Sequence, residues 1–371
     1  MTSRQRVLTA FAHREPDRVP CWCGSSPEFW AKAKAALGLD DEGLRQRLRD
    51  DFRRVYSKYA GPAFADPLAG LHPGSVYRTP FGIERRGLGY GQPTAHPLAH
   101  ASLAELGSYP WPDPDWMDVS AIRAEALTYE RRFAILGGEW APYWHDAIDL
   151  VGMDRLYYRM YDEPEFVDDL LGRIVDYYAE VSRRIFEAAA DVLDIFFIGN
   201  DFGGQNGPLL SEPMFRRFLL PPLKRLIDLG HHYGLKVMLH CCGGIAPIIP
   251  AMIEAGLDGL HAVQPSCAGM DLATLKRKFG SRILFNGAID SHHVLIEGTP
   301  DSVRRGTREV LEIMKPGGGY VAGASHDTIL EETPLENVLA MFDTIYENGL
   351  YRRPLCAGRR APAPGEEVKR G

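Results

Sequence analysis

Short runs rich in Val, Ile, Leu and Phe recur at residues 18–23, 133–137, 194–199, 235–240, 259–263, 283–286 and 320–322, each ending in small or polar residues. Such runs predict strands. The stretches 217–232, 247–256, 271–279 and 299–314 read as helices, several of them starting on an acidic or hydroxyl residue or ending on glycine or a basic one, as helix polarity favours. Parallel strands need crossovers of a dozen or more residues. The second half supplies four consecutive strand and helix units, each roughly 25 to 40 residues long. The pattern predicts an α/β chain folded as a TIM-type (β/α)8 barrel. Seven runs leave one strand to find, and Asp51-Phe52-Arg53-Arg54-Val55-Tyr56, where apolar and charged residues partly alternate, is the best remaining candidate. A doubly wound open sheet is the alternative, but no glycine fingerprint follows the first strand to support dinucleotide binding.

The stretch 59–116 breaks the rhythm. It is rich in Gly, Pro and aromatic residues, and Tyr77-Arg78-Thr79-Pro80-Phe81-Gly82 and Tyr109-Pro110-Trp111-Pro112-Asp113-Pro114 predict a hairpin and a rigid turn. Such an insertion belongs on the catalytic rim of a barrel. Residues 1–355 are expected to form one domain, and the tail 356–371, with Ala361-Pro362-Ala363-Pro364, to be disordered.

Composition narrows the function classes. With 42 Lys and Arg against 49 Asp and Glu, the net charge of -7 offers no global attraction to nucleic acid. No apolar run reaches the roughly 18 residues of a membrane span, and Met1-Thr2-Ser3-Arg4-Gln5-Arg6 opens no signal peptide, so a cytoplasmic location is expected. Six cysteines are too sparse for a disulfide scaffold, which leaves them as ligands, reactive groups or small buried hydrophobes.

On a barrel, polar residues just past a strand point into the mouth. Those positions hold Trp22 and Cys23, Glu139 and Trp140, Asn200 and Asp201, His240 and Cys242, Gln264, Asn286 and Asp290, and Ser325, His326 and Asp327. His240 and Cys242, spaced i and i+2, project to one side of a strand end. An imidazole and a thiolate so placed can hold one zinc ion at about 2.1 and 2.3 Å. Cys241 faces the other way. A third ligand could come from His326, Asp201, Glu139 or Cys267; a buried cysteine beside a hydrogen-bonded histidine is the competing structural account.

Asp201 ends the apolar run Ile195-Phe196-Phe197-Ile198-Gly199-Asn200, where a carboxylate is costly to desolvate unless it is hydrogen bonded or faces a cation. It is a candidate catalytic group, with a helix N-cap as the competing role. Gln205, in the polar loop Gly203-Gly204-Gln205-Asn206-Gly207-Pro208, is placed to orient a ligand. His326 offers a proton carrier or a neutral ligand. His145, between Trp144 and Asp146, sits in an aromatic segment suited to walling a pocket, and Trp22, Trp144, Gln264 and Asp290 complete the candidate substrate contacts. His13, Arg14, Asp17 and Arg18 suit an ion-pair network or substrate contact about equally. Gly317-Gly318-Gly319 predicts a tight turn from helix to strand.

Across almost its full length the chain resembles the uroporphyrinogen decarboxylase superfamily. The resemblance rests on Phe11-Ala12-His13-Arg14-Glu15-Pro16-Asp17-Arg18-Val19-Pro20, Leu239-His240-Cys241-Cys242-Gly243, Gly287-Ala288-Ile289-Asp290, Ser325-His326-Asp327 and Pro334-Leu335-Glu336-Asn337-Val338. It implies one of two chemistries. True uroporphyrinogen decarboxylases use no metal, and hold a tetrapyrrole with an early Arg-rich loop; here Pro20-Cys21-Trp22-Cys23-Gly24 occupies that region. The other branch comprises zinc-dependent methyltransferases, including methylcobamide:coenzyme M methyltransferases and O- or N-demethylases, that take cobalamin-type corrinoid cofactors from a partner protein. Their His-x-Cys pair carries onto His240 and Cys242. Their further cysteine near the last strand is absent from Gly323-Ala324-Ser325-His326. The resemblance thus implies a zinc-dependent methyltransferase acting on a small molecule, with a homodimer as the family's expected assembly. Decarboxylation of a uroporphyrinogen-like or other small carboxylated substrate is the alternative, and an inert binding barrel a third.

Overall fold

The computed structural model describes residues 1–63, 76–87 and 91–351. Seven parallel strands form one curled sheet whose order in space follows the chain: β1 (Phe52–Arg54), β2 (Ala134–Gly137), β3 (Ile195–Gly199), β4 (Lys236–His240), β5 (Gly259–Val263), β6 (Leu284–Ile289) and β7 (Tyr320–Ala324). The candidate at 51–56 is therefore a strand. The expected strand at 18–23 is not a regular one: it makes single bridges, Cys21 to Ala322 and Arg18 to Leu350. Pro20 has no N–H to give a ladder. Even so, the segment reaches both sheet edges, since Trp22 N–H donates to Ala322 of β7 and Asp51 N–H donates to the Cys21 carbonyl.

Helices cover the outside of the sheet, among them Pro164–Ala189, Leu220–His232, Ile249–Glu254, Leu272–Phe279, Pro300–Met314 and Leu335–Asn348. Their starts follow the sequence signals. Asp271 accepts from Thr274 N–H, and Thr299 and Ser302 cap each other's backbone. The three glycines 317–319 all take positive φ, at 77°, 72° and 63°, and turn the chain into β7.

Side chains alternate across each strand. Ala134, Leu136, Ile195, Phe197, Met238, Leu284 and Val321 face inward and pack with Val7, Ala10 and Phe11 of the first helix, Ser3–Phe11. Phe11 lies beneath the start of β5, 3.0 Å from where a Cβ on Gly259 would stand. The amino-terminal end of the sheet is thus filled with hydrocarbon. Arg6 and Arg18 converge there on the buried Asp51, which resolves the Asp17 and Arg18 cluster as an ion-pair network. The polar inward residues His240, His261 and Asn286 all lie nearer the other end.

The insertion leaves and rejoins the body through a short antiparallel ladder, Lys58 with Asp118 and Tyr59 with Met117. Its described part contains the expected hairpin, Val76–Arg78 with Glu84–Arg86, extended by Gln92–Pro93. The tail expected to be disordered, 356–371, lies outside the described residues. No helix among the described residues is long and apolar enough to cross a membrane.

Candidate functional site

Adjacent strands in register build the centre of the site. His240 on β4 pairs with His261 on β5 and with Gly199 on β3. Gly199 has a packing reason to be glycine: a Cβ there would lie 1.9 Å from the Trp140 ring. Trp140 occupies that space and stacks on His240, with ring centroids 5.4 Å apart and planes at 29°. The imidazole is clamped from both sides. Its Nδ1 lies 3.1 Å from His261 Nδ1, and its Nε2 lies 3.5 Å from Cys242 Sγ and 3.4 Å from Asp201 Oδ1.

Past β4 the chain bends sharply at Gly243, whose φ of 95° and contact with the Gly203 backbone leave no room for a side chain. Just before that bend, Cys242 sets its sulfur 3.5 Å from His240 Nε2. Cys242 N–H donates to Asp201 Oδ1 at 2.7 Å, and Gly243 N–H donates to Gln264 Oε1 at 2.8 Å. Cys241 points away as expected, its sulfur accepting from Phe202 N–H inside the core. Asp201 caps no helix; it spans the two histidines, with Oδ2 3.5 Å from His145 Nε2.

The electrostatics of this cluster call for a cation. Burial opposes the charge on Asp201, yet His145, His240 and the Cys242 N–H together hold its carboxyl far below the usual range. Burial also opposes the charge on His240, but the Cys242 sulfur and Asp201 raise its basicity well above that of an ordinary imidazole. Burial pushes the Cys242 thiol up while His240 pulls it down. His261, wholly buried and beside His240 and His326, is held neutral. A metal ion in place of the His240 proton answers the same demand. A tetrahedral zinc with nitrogen, oxygen and sulfur ligands has edges of roughly 3.4 to 3.6 Å; the spacings at His240 Nε2 match them. Asp201, His240 and Cys242 therefore form a donor set able to hold a metal ion. A second set, His240, His261 and Asp327, lies on the opposite ring nitrogen, with His261 3.8 Å from Asp327.

One cavity of about 330 Å³ is lined by His145, Asp201, His240, Cys242 and His326. Residues separated by more than a hundred positions in the chain thus meet at one hollow. His326 Nδ1 is engaged by the Thr328 backbone. Other candidates are distributed around it. Gln205, Gln264 and Asp290 line an adjoining cavity of about 660 Å³, which shares His326 with the first. Asp290 also caps the turn that follows, accepting from His292 and His293 N–H. Trp22 lines a third cavity of about 410 Å³, which shares Asp327. Trp144 is not brought to the site: it is fully buried, its backbone N–H donating to Asn200 Oδ1 and its ring against Tyr157. The helix Tyr143–Val151 turns Trp144 toward the core while its neighbour His145 faces the cavity. Glu139 binds Ser57 and Cys267 binds Gln264, so neither joins the donor set.

Sequence reasoning passes over His261 and Arg54. The signal for His261 is a lone imidazole inside the apolar strand Gly259-Leu260-His261-Ala262-Val263. Arg54 ends β1 and so faces the mouth.

Comparison with known proteins places this geometry in a family. The model of the uroporphyrinogen decarboxylase (URO-D) family matches residues 114–348, well over half of the sequence. The chain belongs to that family. It is similar to uroporphyrinogen decarboxylase of Magnetococcus marinus, 24% identical over 195 residues, covering 52% of this chain and 51% of that protein. It is similar to the same degree to methylcobamide:CoM methyltransferase of Methanosarcina acetivorans, 22% identical over 208 residues, 55% of this chain and 58% of that one. The chain thus spans about half the length of these relatives. A solved methyltransferase from Methanosarcina mazei shares the fold, with a TM-score of 0.64 and 20% identity over 94% of this chain and 99% of that one.

Proposed function

We propose that the chain is a zinc-dependent methyltransferase, moving a methyl group between a small molecule and a corrinoid held by a partner protein. The observation that carries the reading is the Nε2–Sγ and Nε2–Oδ1 spacing at His240, which suits one tetrahedral ion at the cavity wall. Similarity to a methylcobamide:CoM methyltransferase supports the corrinoid. We further read residues 20–22 as the eighth stave of a (β/α)8 barrel.

His240, Cys242 and Asp201 would hold the zinc, which supplies Lewis acidity to lower an acceptor thiol's pKa or polarise a donor's oxygen. His261 keeps the His240 ring turned so that Nε2 faces Cys242. Trp140 stacks on that ring and excludes water from one side. His145 binds the second oxygen of Asp201 and keeps it ionised, and His326 across the cavity moves the proton. Gln205, Gln264 and Asp290 offer polar contacts to the part of the substrate in the adjoining cavity.

Elemental analysis of the purified protein tests this directly. One zinc per chain is expected, lost in His240→Ala and Cys242→Ala, together with methyl exchange from free methylcobalamin to a thiol. Folded protein without zinc and without exchange would refute the reading. Carbon dioxide release from a carboxylated substrate by that metal-free protein, abolished in Asp201→Asn, would replace methyl transfer by decarboxylation.

A further inference from the structure

Arg54 is set apart from the arginines around it. Arg53 is locked by Glu42, Arg45 by Asp50, and Arg6 and Arg18 by Asp51. Among the described residues Arg54 has no hydrogen-bond or ion-pair partner, and its Nε is buried without an acceptor. Aromatic rings hold it in place. Its guanidinium lies over Tyr56 at 4.7 Å and over Trp140 and Phe197 at 5.3 Å each. It lines both the 410 Å³ cavity, with Trp22 and Phe197, and a neighbouring one of about 310 Å³, with Glu139 and Trp140.

Of the other charged groups in these walls, Asp50 is paired with Arg45, and Glu139 accepts from Ser57 and feels the charge of Arg54. Asp327 lies 3.8 Å from the neutral His261, on the side shared with the His240 cavity. A second donor unpaired among the described residues, the buried Trp22 indole N–H, stands in the same wall and packs against the same Phe197. Among the described residues the buried unmatched atoms of the wall at Phe197 are both donors, one of them a guanidinium, and that wall is complementary to an oxyanion. The planar fork of Arg selects a planar one. Aromatic walls favour a flat, unsaturated body behind it.

We propose that Arg54 anchors the carboxylate of an aromatic or otherwise planar acid, with the far end of that molecule directed past Trp140 to His240 and Cys242. Trp140 touches both ends of this path, since the guanidinium and the His240 ring each lie one stacking distance from it. The inference rests on the reading of His240 and Cys242 as the reaction centre only for its direction, and the anchor itself can be tested without any metal.

The test is calorimetric binding of benzoate and of its uncharged analogue benzamide. Wild-type protein is expected to bind benzoate at least roughly tenfold more tightly than benzamide, the range of a charge-assisted pair. Arg54→Gln should abolish that preference, and Arg54→Lys, which keeps the charge and loses the fork, should retain part of it. Thermal melting of both variants shows whether the fold is kept. His240→Ala should keep benzoate binding, so loss of zinc there leaves the anchor standing. Equal binding of the two probes, absence of benzoate binding at millimolar concentration, or unchanged benzoate affinity in folded Arg54→Gln would each overturn the proposal.

Discussion

An imidazole has two nitrogens, and the one available for chemistry is set by what the other touches. His240 meets His261 through Nδ1 and Cys242 and Asp201 through Nε2. His261 is buried, neutral, and among the described residues has no partner at its own Nε2, so its packing position rather than a longer hydrogen-bond chain holds it there. Trp22 and Phe197 supply that packing, with ring centroids 4.9 and 5.4 Å away. His261→Phe keeps a flat ring of similar bulk and removes the contact to Nδ1. Zinc affinity, measured by competition with a chelator, should fall by about 10- to 100-fold, the usual effect of losing the partner that orients a ligand. Unchanged affinity would show that Trp140 stacking alone holds His240.

Strands carry the site because they bring distant residues into register. Gly199, His240 and His261 form one row across β3, β4 and β5, and the row works only if its first member has no side chain. Gly199→Ala should therefore drive Trp140 off His240 with little damage to the sheet itself. Expected results are a changed tryptophan fluorescence spectrum and methyl exchange slowed by roughly tenfold or more, as small misplacements at a reacting centre produce. An unaltered spectrum would mean that Trp140 has other space to use. Much of this row was legible beforehand. Apolar runs located β2 to β7 to within a few residues, and the i, i+2 spacing of His240 and Cys242 singled out the donor pair. Besides Arg54, three features escaped. His261 sits amid apolar neighbours, where periodicity reads any residue as core. Segment 18–23 bridges both sheet edges without regular pairing, since Pro20 removes a donor. Trp144 reads like His145 until helix phase turns one inward and the other toward the cavity. Register and phase are properties of the folded backbone, and a linear pattern does not contain them.

At the scale of the molecule, the insertion is fastened to the body by buried charge. Arg85, on its hairpin, pairs with Asp149 and lies 3.7 Å from Asp146, and it also lines the cavity of the site. Asp146 accepts from Tyr178 OH at 2.6 Å. Burial pushes its carboxyl up to about 6, more than Arg85 and Tyr178 pull it back. A carboxyl whose folded value lies above its unfolded one, near 3.8, binds a proton more readily in the native state. Its contribution to stability is complete below that unfolded value and is lost as pH rises through about 6. The difference between about 6 and 3.8 corresponds to roughly 3 kcal/mol as an upper bound. Asp50, likewise pushed to about 6 by burial, titrates in the same window and is untouched by a change at Asp146. In Asp146→Asn the amide still offers an oxygen to Tyr178 but no longer titrates. Its stability relative to wild type, from urea unfolding at pH 4, 5, 6 and 7, should therefore rise with pH by up to about 3 kcal/mol. The Asp50 contribution cancels in that difference. Parallel curves for the two proteins would mean that Asp146 stays ionised through the window and that Arg85, rather than burial, governs how the insertion is held over the cavity.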